Sequence, residues 1–127
     1  MKPDITSEKD IIQMVDTFYS RVRKDDLLGK IFEDVIGDYW DVHLEKMYRF
    51  WRTLALKEYV YHGNPFGAHT PLPVEKKHFD RWLELFTSTV DEFFEGENAN
   101  EVKKRAKFMA EMFETKISYI RSQEKQA

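Results

Sequence analysis

Apolar positions in the first part of the chain recur at helical rather than strand spacing. Ile11, Ile12, Val15, Phe18, Tyr19 and Val22 fall at i, i+1, i+4, i+7, i+8 and i+11, a single stripe down an α-helix. Ser7, three residues before Asp10, predicts a capping arrangement at its start, with Asp a shorter third-position partner than Glu. Gly29 and Gly37 then punctuate a short irregular or broken-helical stretch holding Ile31, Phe32, Val35 and Ile36. A second strong stripe, Trp40, His43, Leu44, Met47, Phe50, Trp51 and Leu54, returns to three-and-four spacing and carries one histidine on its apolar side.

Residues 61–73, YHGNPFGAHTPLP, hold two glycines and three prolines. Proline removes a backbone donor and clashes inside a helix, so this segment reads as a loop with at most one short turn. A third stripe follows in Phe79, Trp82, Leu83, Phe86, Val90, Phe93 and Phe94, stopped by Gly96. A fourth comprises Val102, Ala106, Met109, Phe113, Ile117 and Ile120, before the polar tail RSQEKQA. No segment alternates with period two, and no repeat is present. The expectation is an all-α single domain spanning residues 1–127, with its core within residues 10–120, four main helices and one long central loop.

Composition narrows the chemistry. Charged residues make up 34% of the 127, both signs are interspersed, and the net charge is −3, which suits solubility and lacks the basic stripe that nucleic acid requires. No stretch approaches the roughly 20 apolar residues that cross a bilayer. The start MKPDITSEKD has no secretory pattern, so a cytoplasmic location without membrane contact is expected by default. Without cysteine there is no disulfide, thiolate site, iron–sulfur cluster or covalent haem attachment, and any metal must be held by nitrogen or oxygen. The aromatic share is high: ten Phe, six Tyr and three Trp. That much ring surface fills a bulky core or walls a pocket for a large flat ligand.

The four histidines are His43, His62, His69 and His78; none forms an H-x-x-x-H pair, and no hydrolase or nucleotide-binding motif is present. His69, followed by Thr-Pro-Leu-Pro, sits where two prolines stiffen the backbone enough to hold a ligand at a fixed angle. On pattern alone His43 reads first as a core imidazole, and His78, beside Lys77 and near a helix start, as a surface or helix-terminal group. Tyr19 and Trp82 each bring one hydrogen-bond donor to an apolar face, where a backbone carbonyl or water is the plainest partner.

In order along the chain stand Phe18-Tyr19, Phe32, Trp40-x-x-His43, Phe50-Trp51, Tyr61-x-Gly63 leading to His69-x-x-Leu72-Pro73, and Trp82. This succession resembles the truncated, two-on-two haemoglobins, and within them group III; the likeness runs from about residue 10 to residue 120. The resemblance implies a two-on-two helical sandwich around non-covalent haem b, with His69 as the proximal iron ligand. It further implies Tyr19, Trp82 and His43 as distal groups toward a diatomic ligand, Phe32 packed on the haem face, and Met47, Phe50, Trp51 and Leu72 lining the pocket. Tyr61 would donate to a haem propionate; Lys46, Arg49 and Arg52 are propionate partners or simply a solvated face.

One histidine ligand leaves the opposite side of the iron open, an arrangement for binding gas rather than passing electrons. Donors aimed at a ligand that gathers negative charge stabilise it, which favours O₂ or NO chemistry over transport. The chain has no room for a flavin or nicotinamide domain beside a globin, so turnover would require a separate reductase. Competing readings are a peroxidase-like or NO-detoxifying enzyme on the same haem, a haem carrier, and a haem-free helical interaction module whose rings only fill a core.

Overall fold

A computed structural model of the chain describes residues 2–61 and 74–126. Helix α1 spans Glu8–Lys24, α2 Gly29–Ile36, α3 Trp40–Leu56, α4 Lys76–Phe93 and α5 Glu97–Gln126. No strand occurs among the described residues.

The capping arrangement expected at Ser7 is present. Its hydroxyl accepts from the Asp10 N–H at 3.4 Å, and the Asp10 carboxylate accepts from the N–H groups of Ser7 (3.2 Å) and Thr6 (2.9 Å), so the shorter acid suffices. The stretch between the two glycines is more regular than expected: it is the helix α2. Gly29 does not break structure there but admits it, because a Cβ at this position would lie 2.7 Å from the Arg23 carbonyl oxygen. Gly37 does act as a stop, at φ 54° with its N–H returned to the Glu33 carbonyl at 2.8 Å. The polar tail is also more ordered than its composition suggested, since α5 continues to Gln126.

The helices form two layers of two. Helices α1 and α3 pack together in one, α4 and α5 in the other, with α1 crossing α4 and α3 crossing α5. The core starts earlier than residue 10: Ile5 is fully buried. The Asp4 carboxylate beside it accepts from the N–H groups of Asn98 (3.0 Å) and Ala99 (2.9 Å), capping α5 from the far end of the chain. No described helix is long and apolar enough to cross a membrane.

Candidate functional site

Four elements bring aromatic side chains to one place. The Tyr19 ring of α1 meets His43 of α3 edge-on at 5.1 Å, lies 6.1 Å from Phe32 of α2, and 5.9 Å from Trp40 at the start of α3. Phe18 lies 4.9 Å from Tyr19 and turns its edge to Trp82 (5.5 Å) and Phe86 (5.3 Å) on α4. Trp82 and Phe86, one helical turn apart, stack at 5.5 Å with 6° between their planes. Trp51 closes the series against Phe86 at 4.7 Å. The expected distal residues Tyr19, His43 and Trp82 therefore belong to one continuous ring cluster, with Phe18 joining the first to the third.

The electrostatics of this cluster suit hydrogen-bond donation. Burial raises the Tyr19 hydroxyl above its ordinary value, so it stays a protonated donor throughout the ordinary pH range. Trp40 Nε1–H is buried with no acceptor among the described residues, and the Arg23 guanidinium lies 4.5 Å over the same ring.

Helix α3 presents two apolar stripes with different surroundings. Trp40, Trp51 and Ala55 are buried against the rest of the chain. His43, Met47, Phe50 and Leu54, spaced i, i+4, i+7 and i+11, form a neighbouring ridge that is only half-buried, as are Phe32 and Trp82. A half-covered ridge of large apolar groups beside buried donors fits a broad flat ligand with a polar centre, which is the chemistry of haem.

Tyr61 is held against this ridge. Its ring lies 5.0 Å from Phe50, edge-on, and its backbone N–H donates to Thr53 Oγ1 at 3.1 Å, with the Val60 N–H donating at 3.2 Å. The Thr53 hydroxyl in turn lies 2.8 Å from the Glu58 carbonyl oxygen and 3.0 Å from that of Arg49. Thr53 was not singled out from the sequence, where its only mark is a hydroxyl placed between apolar positions of a helix. The arginines considered for propionates are committed to acids: Arg49 to Glu45 at 3.1 Å, and Arg52 to Glu58 at 2.6 Å and Glu8 at 3.6 Å. His62, His69 and Leu72 lie outside the described residues.

Of the two places expected for His78, surface or helix terminus, the structure shows the second. It is 9% exposed, and its Nδ1 accepts the Glu75 N–H at 2.9 Å. Nε2 is therefore the protonated nitrogen of the neutral ring, and burial holds its pKa below the usual imidazole value.

Comparison with known proteins agrees with this fold. Residues 4–117 match the family model of the bacterial-like globins. The group 3 truncated hemoglobin of Campylobacter jejuni is 32% identical over 121 residues, covering 92% of this chain and 95% of that protein. The crystal structure of the group III truncated hemoglobin from Campylobacter jejuni has a TM-score of 0.84 to this fold, over 92% of this chain and 95% of that one at 32% identity. The X-ray structure of a truncated oxygen-avid haemoglobin from Bacillus subtilis has a TM-score of 0.72 at 27% identity, covering 84% of this chain and 92% of that one.

Proposed function

The chain belongs to the bacterial-like globin family as a group III truncated haemoglobin, hence a haem globin, and from that premise we propose that it binds O₂ and related diatomic ligands for O₂ or NO chemistry rather than transport. The observation that carries this is the convergence of Tyr19 and His43 at 5.1 Å, joined through Phe18 to Trp82, beside a half-buried apolar ridge.

Haem supplies an iron centre that binds a diatomic gas. In this reading it is haem b, held without covalent attachment, since the chain has no cysteine to form a thioether. His69 would be the protein ligand to the iron, and Leu72 would help to bind the haem. Phe32, Met47 and Phe50 would supply apolar cover, with Trp51 backing it from the core against Phe86. Tyr61, oriented through Thr53, is the propionate donor. The Tyr19 O–H and Trp82 Nε1–H would donate toward a ligand carrying negative charge, and the burial of Tyr19 would strengthen its bond. His43 is the third polar group at this face.

Two donors slow ligand release, which is unhelpful for delivery and useful where the ligand must stay to react. The Bacillus subtilis relative is itself described as oxygen-avid, in line with this reading. Turnover would draw electrons from a separate reductase. A peroxidase-like or NO-detoxifying reaction would use the same pocket, whereas the haem-free interaction module does not survive membership of the globin family.

The test is an absorption spectrum of the ferric, ferrous and CO-exposed ferrous protein beside His69→Ala. A Soret band that shifts with CO and is lost or strongly weakened in the variant is expected. No band after reconstitution with hemin would overturn the reading, and an unchanged band in His69→Ala would move the iron ligand elsewhere.

A further inference from the structure

The two proposed donors sit on different helices, Tyr19 on α1 and Trp82 on α4, so their separation depends on how those helices are held. Rings alone do not fix it. The Phe18 contacts with Trp82 and Phe86 are apolar and tolerate sliding and rotation, because burial has no direction of its own.

Directional contacts lie on either side of the rings. Asp25, closing α1, accepts from Arg81 Nε at 2.7 Å, and Arg81 immediately precedes Trp82. Four residues earlier on α1, Arg21 donates to Thr89 Oγ1 at 3.0 Å and also pairs with Glu92. Arg81 and Thr89 are eight residues apart, which places them about 80° apart around α4. Two ties at different heights and azimuths of α4, on either side of the Trp82 and Phe86 positions that Phe18 meets, oppose both sliding and rotation of α4 on α1.

Of the two, the Asp25–Arg81 tie is the one that adjoins Trp82, and its acceptor is a charged, nearly buried group. The Asp25 side chain is 6% exposed, and its second oxygen accepts from the N–H groups of Leu27 (3.1 Å) and Leu28 (3.0 Å), so the carboxylate cannot swing. Burial alone would raise its pKa, but the Arg81 guanidinium and these N–H groups hold it below the ordinary carboxylate value, keeping it ionised and paired.

We propose that the Asp25–Arg81 pair, anchored by its nearly buried carboxylate, is a positioning device for Trp82, setting the rotation of α4 so that the indole N–H is aimed at the same ligand as the Tyr19 hydroxyl. The inference rests on the reading of Trp82 as a distal donor. Arg81 touches no ligand; it acts through its neighbour.

The experiment is a double-mutant cycle of Arg81→Gln and Trp82→Phe. It reads O₂ dissociation, the C–O stretching frequency of the CO-bound ferrous protein, and the ¹H–¹⁵N resonance of the Trp82 indole in that diamagnetic state. Arg81→Gln is expected to speed O₂ dissociation by about 3- to 10-fold, as a misaimed hydrogen bond does. It should also raise the C–O frequency and shift or broaden the indole resonance. In the Trp82→Phe background the same change should add nothing, and Arg81→Lys should restore most of the lost retention. If Trp82→Phe speeds dissociation while Arg81→Gln leaves it and the indole resonance unchanged, the positioning role fails and the donor reading stands. Equal acceleration by Arg81→Gln in both backgrounds overturns it as well, because the pair would then act through general stability. If Trp82→Phe itself changes nothing, the donor reading fails and takes this inference with it.

Discussion

The seam between α1 and α4 and the outer ridge of α3 are both apolar and both aromatic, yet the chain treats them differently. At the seam, Phe18 and Phe86 are at most 1% exposed, Trp51 stacks on Phe86, and directional ties at Asp25–Arg81 and Arg21–Thr89 flank the rings. On the ridge, His43, Met47, Phe50 and Leu54 stay half-buried. Protein interiors pack to crystal-like density, so a helix that packs one stripe completely and leaves its neighbour half-covered has two surfaces with separate roles. The seam holds the fold, and the ridge is the surface that the proposed function gives to haem.

Truncating one residue of each kind is the strongest way to break this distinction. Trp51→Ala should cost about 3–5 kcal/mol of unfolding free energy, since it empties a buried site against Phe86. Met47→Ala should cost the haem-free protein about 1–2 kcal/mol, because its side chain is already partly exposed, while speeding haem loss to an apo-acceptor. Urea titration and haem-transfer kinetics separate the two effects. Equal losses of stability in the two variants would mean that the ridge is ordinary core.

Next in size are the donors where the regions meet. In the proposed reading Tyr19→Phe and Trp82→Phe each remove one hydrogen bond to a partly charged ligand, the first keeping its ring and the second replacing the indole by a smaller phenyl. Each should raise the O₂ dissociation rate about 10- to 100-fold, corresponding to roughly 1.5–3 kcal/mol. Flash photolysis or ligand displacement reads this directly. Unchanged rates in both variants would leave the rings as packing only.

Much of this architecture was legible in the chain because periodicity reports burial. The stripes through Val15, Met47, Phe86 and Ala106 mark the four long helices, and Tyr19, His43 and Trp82, named together from the sequence, belong to one ring cluster. What escaped was polar and long-range. Asp25 and Arg81 are 56 residues apart and look like any solvated acid and base until the fold joins them. Asp4 and Asn98 are 94 apart, and no local pattern marks an acid as the cap of a helix so far along the chain. Gly29 misled for a related reason: a glycine needed for close backbone approach looks the same in a sequence as one that ends a helix.

The Asp4 cap supplies a third, smaller effect. Burial would raise its pKa, but backbone N–H groups of Asn98, Ala99 and Ile5 outweigh that and hold it below the ordinary carboxylate value. The folded chain therefore binds this proton more weakly than the unfolded chain. Its stabilisation is fully present above the ordinary carboxylate pKa and is lost as pH falls through the lower folded value. Asp4→Asn should cost about 1 kcal/mol at neutral pH, a loss typical of a helix cap. The gap from the parent protein should close in acid. A gap independent of pH would mean that the carboxylate acts through shape alone.

His78 gives the smallest effect, and its sign is opposite to that of a histidine stabilised by a nearby acid. Its imidazole is buried at the start of α4, and Nδ1 already accepts the Glu75 N–H. Burial, with Lys77 adding to it, holds the folded pKa below the usual value near 6.5, outweighing the opposing pull of Glu75. As pH falls through that value the unfolded chain takes up a proton that the folded chain resists, so folding loses stability on the acid side. Protonation would also turn Nδ1 from acceptor into donor and remove the bond that starts the helix. Melting temperatures from pH 7.5 to 5 should therefore fall less steeply in His78→Gln than in the parent. A steeper fall in the variant would mean that His78 is stabilised in its charged form, and that Glu75 rather than burial governs this corner of the fold.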